Sequence, residues 1–162
     1  MWPWLAQLGE DHGGFYSYAL LERLVGADVH NANVIHPEWQ ELKVGDTIWL
    51  ARRYGPSARQ LVAAVHQDSH LALTSVADFD RLQSGGLASG AWSFILQPDG
   101  AATRLVVRGS GTPVGHFWFD IPHFVMEQKM MRGIRRRVQS AQDGIAVVEC
   151  TAPRSHPALT VE

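Results

Sequence analysis

The stretch FDIPHFVMEQKMMRGIRRRVQSA, residues 119–141, decides the fold because its pattern predicts one long helix. Asp120 suits the N-cap and Pro122 suits the first turn, positions that these residue types favour. The apolar residues recur at spacings of three, four and seven, which places them on one side of a helix; they are Phe124, Met130, Met131, Ile134 and Val138. We expect this side to cover the rest of the domain.

Two polar residues, His123 and Glu127, fall on the apolar side of this predicted helix, one turn apart. A carboxylate there is costly unless it is paired, hydrated or turned toward a polar cavity. One interpretation is a salt-bridged Glu127 beside a hydrogen-bonded core histidine. The other is a pair that moves protons or orients a ligand. The basic residues fall mostly off the apolar side, toward water, and they crowd the C-terminal half of the helix, where the helix dipole favours cations; they are Lys129, Arg132, Arg136 and Arg137.

The composition is that of one ordinary globular domain. The 162 residues are 46% hydrophobic and 19% charged with a net charge of −2, so we expect no nucleic-acid partner. The single cysteine, Cys150, excludes an internal disulfide and a thiolate metal cluster and fits a reducing cytoplasm. The first residues predict neither a signal peptide nor a membrane span. Six Trp, six Phe and three Tyr suit either a core or a hydrophobic ligand cavity.

The N-terminal part predicts two short helices and a loop. The first helix covers Trp2 to Leu8 and stops at Gly9, and the second, FYSYALLERLVG, ends at Gly26. The following segment, ADVHNANVIHPEWQEL, is rich in Asn and His and is broken by Pro37, which indicates an ordered loop.

From Lys43 onward the apolar period changes to two, which predicts strands. The first strand is KVGDTIWL, and QLVAAVH and HLALTSV form a hairpin around residues 67–69. A glycine-rich connection, ADFDRLQSGGLASG, leads to a second hairpin, GAWSFILQ and ATRLVVRG, around Pro98-Asp99-Gly100. Its apolar face holds Trp92, Phe94, Leu96, Thr103, Leu105 and Val107, and its polar face holds Ser93, Arg104 and Arg108. The layout predicts an α+β domain whose antiparallel sheet is covered by the long helix.

The domain is expected to span residues 1–141, followed by a C-terminal extension over 142–162. Within the extension, residues 145–150 have the composition of a strand. The rest, with Pro153 and Pro157, is expected to be a loose tail.

Several phrases of the chain resemble the SRPBCC superfamily (START-like, including polyketide cyclases and dehydrases), and more narrowly an uncharacterised bacterial branch of it. The phrases are WPWLAQLG, GGFYSY, HNANVIHPEWQELKVGD, WSFIL, TRLVVR and HFVMEQKMMRGIRRR, which together span most of Trp2 to Arg137. The resemblance implies a helix-grip fold, in which a curved antiparallel sheet grips the long C-terminal helix around a hydrophobic cavity. It supplies no family-wide catalytic motif, and fold alone does not set function.

The chain departs from this superfamily at its start, because relatives have a further strand leading into the WPWL helix. A missing strand would expose backbone donors and acceptors at a sheet edge. Three remedies are open. The native start lies upstream of Met1, a homodimer partner covers the gap, or residues 145–150 fill it.

The sequence favours a small hydrophobic ligand in a cavity between sheet and helix, with no metal and no cofactor. The expected ligand-binding residues are Tyr16, Tyr18, His36, Trp39, Trp92, Phe94, Phe124 and Met131. The alternative is a cyclase- or dehydratase-like enzyme in which His123 and Glu127 act as acid and base, without a metal or a covalent nucleophile. A third alternative is a structural or interaction protein that uses the open sheet edge. The ligand itself is not identified by the sequence.

Overall fold

The computed structural model describes residues 1–16, 31–111 and 117–150, and for 117–123 and 143–150 it describes the backbone alone. The helices are α1 (Trp2–Ala6), α2 (Val76–Gln83) and α3 (Phe117–Cys150). The strands are β1 (Thr47–Trp49), β2 (Arg59–His66), β3 (His70–Ser75), β4 (Ala91–Asp99) and β5 (Ala102–Ser110). Short 3₁₀ segments cover Pro37–Trp39 and Arg52–Ala58. The predicted α+β class is confirmed.

The sheet is antiparallel throughout, and its strands lie in chain order from β1 to β5. Both predicted hairpins are formed. In the second hairpin Phe94 pairs with Val107 and Leu96 pairs with Leu105, so the predicted register is confirmed. The polar face is confirmed too, since Ser93 lies opposite Arg108. Each strand therefore sends alternate side chains into the core.

Helix α3 covers the apolar face of the sheet. Met130 is 2% exposed and Ile134 is fully buried, as the spacing of the apolar residues predicts. They join one core cluster with residues of the sheet and of the N-terminal segment: Trp2, Trp4, Leu5, Leu8, Ile48, Val62, Leu71, Leu73, Phe94 and Leu96. Burial of this apolar surface is the main term that stabilises the domain.

Helix α3 is longer than predicted at both ends. It begins at Phe117, three residues before the expected N-cap Asp120. At the other end residues 145–150 continue the helix, so the prediction that they form a strand and replace the missing first strand is wrong. Strand composition decides little when a preceding helix can propagate, since each added residue forms one more backbone hydrogen bond. Among the described residues, no helix has the length and apolarity needed to cross a membrane.

Helix α2 was not predicted, because the segment was interpreted as a glycine-rich connection. Ser75 is its N-cap and accepts a hydrogen bond from the backbone N–H of Asp78. The Asp78 carboxylate in turn accepts hydrogen bonds from the backbone N–H and hydroxyl of Ser89. Ser-x-x-Asp was thus a start signal of the capping-box type. The network ties the helix to the segment just before β4.

The N-terminal segment forms the predicted first helix, which is shorter than expected at Trp2–Ala6. The second predicted helix is contradicted at its start, since Tyr16 has a positive φ of 57°, outside the helical region. The rest of that prediction lies outside the described residues. Gly9 and Gly14 form an isolated antiparallel β-bridge with each other. The backbone N–H of Glu10, between them, donates to the Trp49 carbonyl, and this hydrogen bond attaches the loop to β1.

Candidate functional site

Among the side chains of α3 that the structure describes, the side that faces the sheet carries one acidic residue, Glu127. Its carboxylate accepts a hydrogen bond of 2.8 Å from the indole N–H of Trp92 at the start of β4. Both side chains are half-buried. A carboxylate makes such a hydrogen bond stronger than a neutral acceptor would. The cost of placing Glu127 on an otherwise apolar side is thereby offset, and the predicted polar residue has an identified partner.

Trp92 is surrounded by other aromatic rings. Its ring centroid lies 4.7 Å from that of Phe94 and 6.3 Å from that of Phe15. Phe94 is fully buried, and Phe15 is buried as well. Phe15 belongs to the GGFYSY phrase, in which only Tyr16 and Tyr18 were expected to bind a ligand. The contact between Phe15 and Trp92 could not be predicted, because the two residues are far apart along the chain.

The apolar side of α3 continues beyond the part that the sheet covers. Phe124 precedes Glu127 by three residues and Met131 follows it by four, so all three lie on one side of the helix. Phe124 is nevertheless 60% exposed, and Met131 is half-buried. Phe124 was expected to be covered, and the structure corrects this. An apolar strip next to Glu127 and Trp92 thus remains open to solvent.

Tyr16 lies on the opposite flank of α3, in the core. Its hydroxyl accepts a hydrogen bond of 3.0 Å from the amide of Gln7, which is fully buried. The guanidinium of Arg137 lies 4.5 Å from the centroid of the Tyr16 ring. Burial raises the pKa of Tyr16 to about 12, against the smaller opposing effects of Gln7 and Arg137. Tyr16 is therefore a neutral structural residue near neutral pH.

Arg137 contradicts the expectation that it faces water. Its Nε donates to the Ala32 carbonyl and its Nη2 donates to the Asn33 side chain, each at 2.8 Å. Burial lowers its pKa from the ordinary value, opposed by Tyr16. Periodicity placed Arg137 with the basic residues that lie mostly off the apolar side. It could not show that the neighbouring surface offers carbonyls and ring faces.

Two other predicted ligand residues, His36 and Trp39, lie at a different place. Trp39 lines a surface cavity of about 270 Å³ together with His12, Glu38, Glu41, Leu42, Asp46 and Thr47. The lining comes from the N-terminal loop and the segment around the start of β1, and not from α3 or β4. The His36 ring stacks on Trp39 with centroids 4.1 Å apart. These two residues therefore do not join Trp92 in one cavity.

The predicted site residues are thus distributed over three places. Trp92, Phe94, Phe124, Glu127 and Met131 lie along the contact of α3 with the sheet. Tyr16 lies in the core, and His36 and Trp39 lie at the surface cavity. The side chain of His123 and the whole of Tyr18 fall outside the described residues, so their roles stay predictions. We call the first group the α3–sheet site.

Within the described ranges, no group of three His, Cys, Asp or Glu side chains is arranged to hold a metal ion. The chemistry of the α3–sheet site is that of aromatic and aliphatic surface with one carboxylate. Comparison with models of protein families, with curated proteins and with solved structures found no match.

Proposed function

We propose that the protein binds a small hydrophobic molecule at the α3–sheet site. The observation that carries the proposal is the hydrogen bond between Glu127 and Trp92, next to the exposed ring of Phe124. Small-molecule sites combine apolar and aromatic walls with a few polar groups that fix orientation. The resemblance to the SRPBCC superfamily supports the same function, since it implies a hydrophobic ligand between sheet and helix. We also propose that the protein acts in the cytoplasm, as its sequence predicts.

The polar group of the site suggests the chemistry of the ligand. A carboxylate only accepts hydrogen bonds, and its two oxygens can accept several. A ligand that reaches Glu127 should therefore carry a hydroxyl or N–H donor on an otherwise apolar body. Naphthol is a suitable probe because it has one hydroxyl on two fused aromatic rings, and methoxynaphthalene is its matched control without the donor.

The experiment compares the affinity of naphthol for the wild type, Phe124→Ser and Val125→Ser by isothermal titration calorimetry. Phe124 and Val125 are both exposed, at 60% and 41%, so neither change should unfold the protein. Phe124 lies on the side of Glu127, whereas Val125 is turned away from it. Losing the apolar contact with Phe124 removes about 1 kcal/mol of binding free energy, which weakens binding about fivefold.

The Val125→Ser variant should bind naphthol like the wild type, and methoxynaphthalene should bind the wild type more weakly than naphthol does. If both serine variants bind equally, or if no binding is detected, the proposal is wrong. Native mass spectrometry of the freshly purified protein adds the identity of a natural ligand, as a mass excess that disappears on denaturation.

The second candidate function is a cyclase- or dehydratase-like enzyme, and the position of Glu127 favours it specifically. A half-buried carboxylate beside an apolar strip is a reasonable proton acceptor for a folded carbonyl substrate. Glu127→Gln keeps an acceptor for the Trp92 indole and removes the ionisable group. An enzyme would lose turnover of polyketide-like carbonyl compounds while it kept binding them. A binder would change only modestly in affinity.

A further inference from the structure

The outer edge of β5 is a nine-residue strand edge, Ala102–Ser110. The sheet order places β4 on one side of β5, and in the described part of the chain no strand pairs with its other side. An edge of this length presents a row of backbone donors and acceptors that another extended segment can pair with. The direction of each backbone group decides which residues form this row.

The directions follow from one hydrogen bond outside the regular ladder. The N–H of Leu96 in β4 donates to the carbonyl of Ser69 at 2.7 Å, so Leu96 directs its backbone groups toward β3. Backbone groups alternate in direction along an antiparallel strand. The preceding residue, Ile95, therefore directs its groups toward β5, where it lies opposite Val106.

The pair of Ile95 and Val106 fixes the alternation along β5. Val106 directs its N–H and C=O toward β4. Because the direction alternates, the odd-numbered residues of β5 direct their backbone groups to the outer edge. They are Thr103, Leu105, Val107 and Gly109. These residues form the free row of β5, and the even-numbered residues of the strand do not belong to it.

The two faces of this edge differ in chemistry. Leu105 and Val107 point toward the core face and are half-buried. Arg104 and Arg108 point to the opposite face and are exposed. Arg104 has an exposed ion pair with Asp99 at 3.0 Å, which is weak in water. A strand added here would meet an apolar surface on one face and two arginines on the other.

A second copy of the chain does not fit this edge. In an antiparallel pair of two β5 strands, residues directly opposite each other must lie on the same face. Registers that overlap most of the strand then place Arg104 or Arg108 directly or diagonally opposite an arginine of the other copy. Like charges in these positions are destabilising. Carboxylates in the same positions would be attracted instead.

We propose that the outer edge of β5 binds an extended segment of a partner polypeptide in which apolar residues alternate with acidic residues. The free row of β5 supplies the backbone hydrogen bonds, as in recognition by strand addition. Leu105 and Val107 supply apolar contact, and Arg104 and Arg108 select acidic residues on the other face. This binding does not require a ligand in the α3–sheet site.

The experiment uses a blocked peptide of nine alternating valine and glutamate residues, matched to the length of β5. Binding is followed by calorimetry and by amide hydrogen exchange. The amides of Leu105 and Val107 should exchange in the free protein, and the peptide should protect them and leave that of Val106 as it was. A peptide with the valines and glutamates in separate blocks is the control for alternation.

The charge requirement is tested with the double variant Arg104→Glu, Arg108→Glu. It should bind the valine–glutamate peptide at least about tenfold more weakly and should gain affinity for a valine–lysine peptide. Arg135→Glu, Arg136→Glu makes the same change of net charge at exposed positions of α3 and should bind like the wild type. Circular dichroism checks that each variant is folded. If the double variant is unfolded, the proposal is tested by whether the peptide protects the Leu105 and Val107 amides of the wild type.

Three results would overturn the proposal. The first is protection of the Leu105 and Val107 amides in the free protein at all concentrations, which shows that the chain itself covers the edge. The second is protection that grows with protein concentration, which shows that a second copy binds there. The third is peptide binding that is absent, or that is the same in the charge-reversed variant.

Discussion

Replacing Gly133 by alanine tests how closely α3 approaches the N-terminal segment. A Cβ at this position would collide with the carbonyl oxygen of Tyr16 and would lie 2.8 Å from the Tyr16 Cβ. Both distances are far below van der Waals contact, and the oxygen belongs to the backbone, so the two segments must separate. Overpacking of this kind costs about 1–3 kcal/mol.

Separation would also weaken the hydrogen bonds of Arg137, which lies one turn after Gly133 and donates to Ala32 and Asn33. Hydrogen bonds of charged groups contribute roughly 1.5–3 kcal/mol. Alanine gains about 1 kcal/mol over glycine from helix propensity. The net expectation for Gly133→Ala is a loss of about 2–4 kcal/mol in the free energy of unfolding.

The assay is urea denaturation followed by tryptophan fluorescence, with Ser140→Ala as the control at an exposed position of the same helix. The control should be neutral or slightly more stable than the wild type. If Gly133→Ala is also neutral or more stable, the gain in helix propensity outweighs the cost of overpacking. The contact between α3 and Tyr16 would then be looser than the structure has it.

Two further predictions concern pH. The pKa of Tyr16 is raised to about 12, so the stability carried by its neutral phenol should be lost as pH rises from 10 through 12, by about 2 kcal/mol. Denaturation of Tyr16→Phe should show a smaller loss over this range, and a wild-type curve no steeper than that of the variant would contradict the burial of the hydroxyl. The pKa of Asp78 is lowered, first by the backbone N–H of Ser89, so its stabilising effect should be lost as pH falls below the ordinary aspartate value. Asp78→Asn should flatten the acid side of the stability profile, and an unchanged profile would show that these hydrogen bonds do not persist in solution.

The fold was predictable where side-chain periodicity decides it. Alternation around Pro98–Gly100 gave the second hairpin and its register, because one residue of slip would turn Phe94 and Leu96 to water. The spacing of Met130 and Ile134 likewise identified the buried side of α3. The ends of α3 and the whole of α2 were missed, since they depend on capping and helix propagation, which a short apolar pattern does not record.

The site was less predictable than the fold. Periodicity places Glu127 on the sheet side of α3 and Trp92 on the inner face of β4. It does not show how far α3 is shifted along the sheet, which decides whether the two meet. Periodicity likewise does not show that Phe124 is left exposed, or that the approach of α3 to the N-terminal segment brings Arg137 onto Tyr16. Such offsets are set by contacts that are distant in sequence.

The most direct test of the proposed function observes the indole N–H of Trp92, which donates to Glu127. The chain has six tryptophans, so Trp92→Phe assigns its indole signal in a ¹H–¹⁵N spectrum by removal. Titration with naphthol should shift this signal in a saturable way and should leave that of Trp39, at the surface cavity, in place. Binding at the α3–sheet site would be contradicted if the titration shifted only the indole signal of Trp39, or if it shifted none of the indole signals.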